Sequence, residues 1–260
     1  MKQKRTIIIT GVLGGIGQAS LHMFALQEAN IIGIDIKPKS DPMVDELTHL
    51  YPDRFTYFEV DCAEEQQVQT AIKQVVEKTG SIEVLFNIVG GSGRRFGDGP
   101  IDECTLEGFR KTLDLNLTTQ FLLNKYVIRE MLLNGKGGCI INTASVLGMV
   151  GGNEMFGTHT YAASKAAIIG MSRAMAIYYA KQNIRVNVIA PGLMETPMSM
   201  RSLKDENIMN YMNYKQPIYA SKHKLGNPQA VAKAAEFLAS SEADFITGIV
   251  LPVDGGWTAQ

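Results

Sequence analysis

Thr6-Ile7-Ile8-Ile9-Thr10-Gly11-Val12-Leu13-Gly14-Gly15-Ile16-Gly17 decides the fold of this chain. The β-branched run Thr6 to Thr10 reads as a strand, Gln18 to Leu26 as a helix, and the glycines between them as a sharp turn. A strand, a glycine turn and a helix in that order make a phosphate site. Glycine lets the backbone come close to a pyrophosphate, and the free N–H groups and positive end of the helix dipole face the anion. Gly11, Gly14, Gly15, Ile16 and Gly17 are therefore candidate cofactor contacts. The strict G-x-G-x-x-G spacing fails, because Ser20 stands where its third glycine would be in a frame that starts at Gly15. No Gly-Lys-Ser/Thr follows to make a P-loop.

Downstream, the apolar run Ile31-Ile32-Gly33-Ile34 ends in Asp35. A carboxylate at the end of a second strand, about 20 residues past the turn, hydrogen-bonds a ribose 2′-hydroxyl and repels a 2′-phosphate, which predicts NAD rather than NADP. Lys37 and Lys39 stand nearby as cations able to welcome such a phosphate.

A second stretch carries chemistry. Tyr161-Ala162-Ala163-Ser164-Lys165 lies in a run of Ala, Ile, Met and Leu that predicts a helix, so the phenol and the ammonium sit one turn apart on one face. A phenol with a pKa near 10 is a poor base at neutral pH, and a neighbouring cation favours its phenolate. Alone, the spacing fits an amphipathic helix face equally well.

Strand-like runs recur at Thr6 to Thr10, Ile31 to Ile36, Phe55 to Val60, Val84 to Ile88, Gly138 to Thr143, Arg185 to Ala190 and Ile249 to Val253, with helical patterns between them. One such pattern puts Val68, Ala71, Ile72, Val75 and Val76 on one face. The alternation predicts an α/β, Rossmann-type doubly wound fold: a seven-stranded parallel sheet with helices on both faces. Right-handed crossovers place the strand C-termini on one edge, where Asp35, Asn87, Ser145 and Pro191 converge. The 260 residues, 45% of them hydrophobic, suffice for a single domain spanning 1–260. No repeat, low-complexity tract or long linker marks a boundary.

A formal charge of −1 and a pI near 6.4 argue against nucleic acid or an anionic membrane surface as partner. Met1 to Arg5 enters the first strand without the pattern of a signal peptide, and no apolar run is long enough to span a bilayer, so a cytoplasmic location is expected. Cys62, Cys104 and Cys139 are dispersed and odd in number, as reduced thiols would be. The histidines form no H-E-x-x-H, and no catalytic metal is expected. His159, two residues from Tyr161, is a candidate substrate contact or simply a loop histidine.

Taken together, these residues resemble the short-chain dehydrogenase/reductase family, of its short single-domain type, over nearly the whole chain. The family's T-G-x-x-x-G-x-G maps onto Thr10, Gly11, Gly15 and Gly17. Its adenine-contacting Asp maps onto Asp61, followed here by Cys62, and its N-N-A-G onto Asn87-Ile88-Val89-Gly90. The catalytic tetrad maps onto Asn116, Ser145, Tyr161 and Lys165. The P-G motif maps onto Pro191-Gly192, with the nicotinamide-contacting Thr at Thr196, and Asp254-Gly255-Gly256 matches the segment after the last strand. Two departures stand out. Ile88 and Val89 replace a polar and a small residue near the nicotinamide, and the segment between Ser145 and Tyr161 is longer than the family usually has, so 153–160 must bulge around the substrate mouth.

The resemblance implies an NAD(H)-dependent oxidoreductase that interconverts a secondary alcohol and a ketone. Tyr161 would exchange the substrate's hydroxyl proton and Ser145 would hold the oxygen. Lys165 would bond the nicotinamide ribose and lower the phenol's pKa, and Asn116 would position a water. The cleft would be closed by the loop 90–100, with five glycines and adjacent Arg94 and Arg95, and by a variable lid at about 193–225. The arginines suit a carboxylate or phosphate, or are solvated surface charges. Met194, Met198, Met200, Met209, Met212, Tyr211, Tyr214 and Tyr219 suit a moderately apolar substrate, or pack lid helices. Sugar acid, polyol, acyl thioester and hydroxysteroid all stay open.

Two other classes compete: a non-catalytic NAD-binding regulator or scaffold, and a sugar-nucleotide epimerase or dehydratase relative, since Gly11, Gly14 and Gly17 also fit G-x-x-G-x-x-G. The C-terminal strand 249–253 and Trp257, the only tryptophan, would leave an edge and a ring exposed in a monomer. With the family's habit of pairing such strands and the helices starting near Thr105 and Tyr161, this predicts a homotetramer, or a dimer.

Overall fold

The computed structural model describes residues 4–260, and Met1 to Gln3, read above as the lead-in to the first strand, lie outside the described residues. The strands are β1 (Arg5–Thr10), β2 (Ala29–Asp35), β3 (Phe55–Glu59), β4 (Val84–Asn87), β5 (Gly138–Thr143), β6 (Ile184–Pro191) and β7 (Val250–Val253). They form one all-parallel sheet in the order β3-β2-β1-β4-β5-β6-β7, the doubly wound arrangement expected.

Helices α1 (Gly15–Phe24), α2 (Pro42–Leu50), α3 (Glu65–Thr79), α4 (Leu106–Leu113), α5 (Thr119–Asn134), α6 (His159–Tyr179), α7 (Glu206–Lys215) and α8 (Pro228–Ala239) surround it. The period of two along β1 splits the core. Ile7 and Ile9 pack with Leu21 and Phe24 of α1, Val44 and Leu47 of α2 and Leu238 of α8. Ile8 packs with Val68, Ile72 and Val75 of α3, Leu123 and Val127 of α5 and Ala176 of α6. Strands covered on both faces carry unbroken apolar runs, which is why the sequence shows Ile7-Ile8-Ile9 rather than alternation.

Side chains fix several strand ends differently from the apolar runs. β2 stops at Asp35 rather than Ile36, because the Asp35 carboxylate accepts from the Ile36 N–H at 2.9 Å and turns it into solvent. β4 stops at Asn87 because the Ile88 N–H goes to Thr10 Oγ1, and β7 starts at Val250 because Ile249 N–H goes to Asn187 Oδ1. At the other end of the glycine turn, α1 starts at Gly15, three residues before the apolar pattern that predicted it.

The expected exposure of Trp257 is overturned. It is 2% exposed and lies edge-on to Phe156 and Tyr211, with centroid distances of 5.5 and 6.0 Å. Ile208, Met209, Met212 and Leu225 complete this cluster, so the chain's own lid and the long segment before Tyr161 bury the ring. β7 does lie at an edge of the sheet. No helix among the described residues is long and apolar enough to cross a membrane.

Candidate active site

The C-terminal ends of the strands carry the site. Thr10 is level with Ile34 and Asn87, and Asn87 with Asn142, so the glycine turn, Asp35, Asn87 and the segment leading to Ser145 share one edge.

The glycine turn is built for close approach. A Cβ on Gly17 would fall 2.2 Å from the Gly11 carbonyl oxygen, so no side chain fits there. A Cβ on Gly15 would fall 2.8 Å from Thr196 Cγ2, which shows Thr196 pressed against the turn. Gly14 caps α1 in extended backbone, and Ile16 is half-buried within the first turn. Ser20, the misfit to the dinucleotide fingerprint, is fully buried with its hydroxyl donated to Ile16 O at 2.7 Å, so a small residue with a locally satisfied hydroxyl fits at this position. Asp35 Oδ2 accepts from Leu13 N–H at 3.0 Å, which holds the carboxylate under the turn. Lys37 is paired with Asp41 at 3.3 Å, and the Lys39 N–H is donated to Glu59.

Next along the edge, Asp61 Oδ1 accepts from Ala63 N–H at 2.9 Å. Cys62 is buried in the core and burial pushes its thiol up to about 12, so any contact there falls to its backbone. Asn87 is fully buried: Oδ1 accepts from Thr10 Oγ1 at 3.0 Å, and Nδ2 donates to Gln120 O and Asn142 Oδ1 at 3.3 Å each. Its side chain thus ties strands together. The same Thr10 hydroxyl accepts from Ile88 and Val89 N–H at 3.0 and 3.1 Å, which fixes the backbone of this segment.

Asn116 lies in a π-helical turn, Asp114–Thr118, between α4 and α5, and is fully buried. Its amide clamps Gly91: Oδ1 accepts from the Gly91 N–H at 3.0 Å and Nδ2 donates to the Gly91 carbonyl at 2.9 Å. Gly90, at φ +148°, brings the backbone so close that a Cβ there would lie 2.7 Å from Asn116 Oδ1 and 3.3 Å from Lys165 Nζ. Lys165 is 3% exposed and donates to Thr143 O at 3.0 Å; Gln120 donates to that same carbonyl at 2.9 Å. Nζ stands 5.6 Å from the Tyr161 ring centroid. Ser145 is buried, and its hydroxyl accepts from Leu147 N–H at 3.2 Å.

Burial pushes the Tyr161 phenol up, the neighbouring Ser145 hydroxyl offsets part of that, and burial draws Lys165 down to about 7. The expected lowering of the phenol by Lys165 is therefore not what shifts it here.

Around the mouth, Pro191 ends β6 and Gly192 N–H bonds Val253 O at 3.0 Å. Buried Gln216 clamps Leu193 through both its backbone groups, anchoring the base of the lid. The lid residues divide. Met194, Met209 and Met212 are core, whereas Met198, Met200 and Tyr214 are exposed. A Cβ on Gly91 would lie 3.3 Å from Met198 Cε, which brings lid and loop together. Arg94 donates to Met155 O at 2.8 Å and, with Arg201, Glu154, Asp205 and Ile208, lines a cavity of about 280 Å³. Arg95 instead stacks over Phe96 at 4.6 Å, and His159 is an exposed first residue of α6. Among the described residues no group of histidine, cysteine or acidic side chains could hold a metal.

Thr10, Gln120, Gln216, Arg201 and Asp98 support or border this site without having been singled out as site residues from sequence. Thr10 had a signal in the T-G pair; the others act through folding contacts that no spacing encodes.

Comparison with known proteins agrees with this fold. A family model described as enoyl-(acyl carrier protein) reductase matches residues 11–258. A 2,5-dichloro-2,5-cyclohexadiene-1,4-diol dehydrogenase of Sphingobium indicum is 36% identical over 98% of this chain and 97% of its own. Among solved structures, ElxO with NADP bound superposes with a TM-score of 0.88 at 28% identity, covering 99% of this chain and all of that one. A 4-hydroxyisoleucine dehydrogenase complexed with NADH gives 0.87 at 30%, with the same coverage. A seven-stranded parallel sheet and whole-length matches of this kind carry one conclusion: the chain belongs to the short-chain dehydrogenase/reductase family, whose members matched here are oxidoreductases acting on alcohols and diols.

Proposed function

We propose that the protein is an NAD(H)-dependent dehydrogenase that interconverts a secondary alcohol and a ketone, within a single domain. The observation that carries this is Lys165 Nζ, buried and bonded to Thr143 O, 5.6 Å from the Tyr161 ring centroid, on the sheet edge that also holds Ser145, Asp35 and the glycine turn. The cradle fits a dinucleotide, because positions 15 and 17 have no space for a Cβ and the N-terminus of α1 opens onto the turn.

Gly11, Gly14, Gly15, Ile16 and Gly17 would hold the pyrophosphate, Asp35 the adenine ribose, Asp61 and the Cys62 backbone the adenine, and the segment 87–90, Pro191, Gly192 and Thr196 the nicotinamide. When bound, that group supplies hydride transfer at nicotinamide C4. Tyr161 exchanges the proton of the substrate hydroxyl, and Ser145 donates to the oxygen on which charge develops. Lys165 would hold the nicotinamide ribose through Nζ. The Asn116 side chain is committed to Gly91, so a water held by Asn116 would be bound through its backbone. Asp35 favours NAD by the charge argument above, and the pairing of Lys37 with Asp41 leaves that cation less available to a 2′-phosphate.

Arg94 and Arg201 line one cavity from different segments, with Glu154 and Asp205 beside them, and burial first and repulsion by Arg201 second draw the Arg94 pKa down. The guanidinium groups suit a substrate carboxylate only where it pairs with them rather than with Glu154 and Asp205, so a carboxylate and a neutral polar alcohol both fit this lining. Arg95 stacks on Phe96 and His159 is exposed at the start of α6, and neither lines that cavity. The protein would act in the cytoplasm as a homotetramer or dimer, its interfaces drawn from exposed Leu106, Phe109 and Phe121 on α4 and α5, Ile177 and Tyr178 on α6, and the β7 edge. A screen of secondary alcohols with and without a carboxylate, following NADH absorbance with NAD and NADP in parallel, tests the reading. Turnover of some alcohol with NAD is expected, and none with either cofactor would refute it.

A further inference from the structure

The strongest unassigned feature is a buried carboxylate, Asp98, in the loop after β4. It is 4% exposed, and a charge so placed costs several kcal/mol unless its oxygens are hydrogen-bonded. Both are. Oδ1 accepts from Thr160 N–H at 3.0 Å and Oδ2 from Tyr161 N–H at 2.9 Å, across more than sixty residues of sequence.

These donors are the orphan N–H groups that every helix leaves at its start. Helix α6 has no cap of its own, for Thr158 at the N-cap makes no side-chain bond. Its first residue, His159, sends its N–H to Gly99 O at 3.2 Å, and the helical pattern takes over at Ala162, whose N–H reaches Thr158 O at 3.1 Å. The three successive N–H groups of His159, Thr160 and Tyr161 are thus all held by residues 98 and 99. Asp98 is itself fixed, with its N–H on Gly93 O at 3.1 Å, and a Cβ on Gly93 would collide with Asp98 and Thr112. The long segment between Ser145 and Tyr161 delivers the chain to α6 without a capping residue, and the neighbouring loop supplies one.

We infer that Asp98 is a positioning residue: it caps α6 from the substrate loop and thereby fixes the backbone of Tyr161 relative to Ser145. The inference rests on the proposed acid/base role of Tyr161. Because Asp98 shares its loop with Arg94, the cap also ties the substrate mouth to the acid/base group. Lys165 lies a full turn deeper and bonds Thr143, so cofactor binding does not depend on the cap.

Asp98→Ala, Asp98→Asn and Tyr161→Phe test this, with kcat, KM, the NADH dissociation constant and backbone amide exchange at 160 and 161 measured on each full-length protein. In Asp98→Ala, amide exchange there should quicken at least about tenfold and kcat fall about 10- to 100-fold, since a misplacement near 1 Å costs up to that much. NADH affinity should stay within about twofold, the scatter expected when no phosphate or ribose contact is touched. Asp98→Asn keeps one carbonyl acceptor and should recover part of both losses, a graded rescue that a purely structural role does not give. Wild-type kcat and wild-type exchange in Asp98→Ala overturn the inference, as does a loss confined to NADH affinity. If Asp98→Ala does not fold, Asp98→Asn decides alone: intermediate kcat with faster exchange supports the cap, and wild-type values overturn it. Normal turnover in Tyr161→Phe would instead refute the catalytic reading, while the exchange measurement still judges the cap.

Discussion

Asp35→Asn isolates the charge that the cofactor preference rests on. Asp35 uses Oδ2 for Leu13 N–H at 3.0 Å and Oδ1 for Ile36 N–H at 2.9 Å. Leu13 is buried and its N–H would cost about 1–3 kcal/mol if left unpaired, whereas Ile36 is exposed and water can serve it. The asparagine amide therefore settles with its oxygen towards Leu13, and the glycine turn keeps its shape while the negative charge disappears. A 2′-phosphate carries about −1.5 to −2, and at roughly 4 Å in water each unit pair is worth about 1 kcal/mol, giving about 2 kcal/mol of repulsion removed. At 1.4 kcal/mol per decade the ratio of kcat/KM with NADP to that with NAD should rise roughly 30-fold. Initial rates with each cofactor at a fixed alcohol concentration measure it, and fluorescence titration with NADH and NADPH gives the same ratio without a substrate. The gain should shrink as salt is raised. An unchanged ratio, or a wild type that prefers NADP, would refute the reasoning.

Tyr161→Phe removes the transferable proton and should lower kcat at least about 100-fold with NADH binding retained, read by steady-state rates and titration; near-normal turnover contradicts the assignment. Lys165→Met should lose kcat comparably and weaken NADH binding as well, and unaltered binding would remove Lys165 from the cofactor site. The same variant tests burial of the amine: with the folded pKa drawn from 10.5 to about 7, the unfolded chain binds a proton between these values that the folded one lacks. Stability of the cofactor-free wild type should therefore rise from pH 7 towards 10 relative to Lys165→Met, and stay parallel below 7. Parallel melting temperatures across the whole range would rule out the buried amine. Light scattering coupled to size exclusion at micromolar protein should give two or four times the 28.5 kDa of one chain, and a monomer mass would remove the subunit proposal.

The sheet was legible because its physics is local. Runs such as Ile7-Ile8-Ile9 and Ile31-Ile32 are buried on both faces and can be little else, and the glycine turn announces the strand-to-helix switch. What stayed hidden depends on contacts far apart in sequence. Trp257 looks exposed at the chain's end until 153–156 and α7 fold over it. Asn87 reads as a cofactor contact in a motif, yet its amide is spent on Thr10, Gln120 and Asn142, which only the strand order brings together. Asp98 gave no signal at all, because a cap supplied from another segment leaves no capping pattern beside the helix.

The electrostatics of the Tyr161–Lys165 pair follow from the same long-range packing. Burial favours the neutral form of each group, so the phenol rises and the amine falls, the opposite of what general-base work at neutral pH requires. An amine with a pKa of about 7 is charged only in part at neutral pH and does correspondingly less for a phenolate, and among the described residues the hydrogen-bond acceptor of Nζ is a single carbonyl, that of Thr143. Hydrogen bonds to a charged group favour the charged form, so every further acceptor placed around Nζ restores the ammonium and, through it, lowers the phenol. The ribose hydroxyls that the proposed function places on Lys165 are such acceptors. On this arrangement cofactor binding and the acidity of Tyr161 are coupled, and the coupling is reciprocal: a phenolate at Tyr161 tightens the grip of Lys165 on the ribose by the same factor by which the ribose promotes the phenolate. Gly90 permits it, since a Cβ at that position would stand 3.3 Å from Nζ and crowd the space the hydroxyls need.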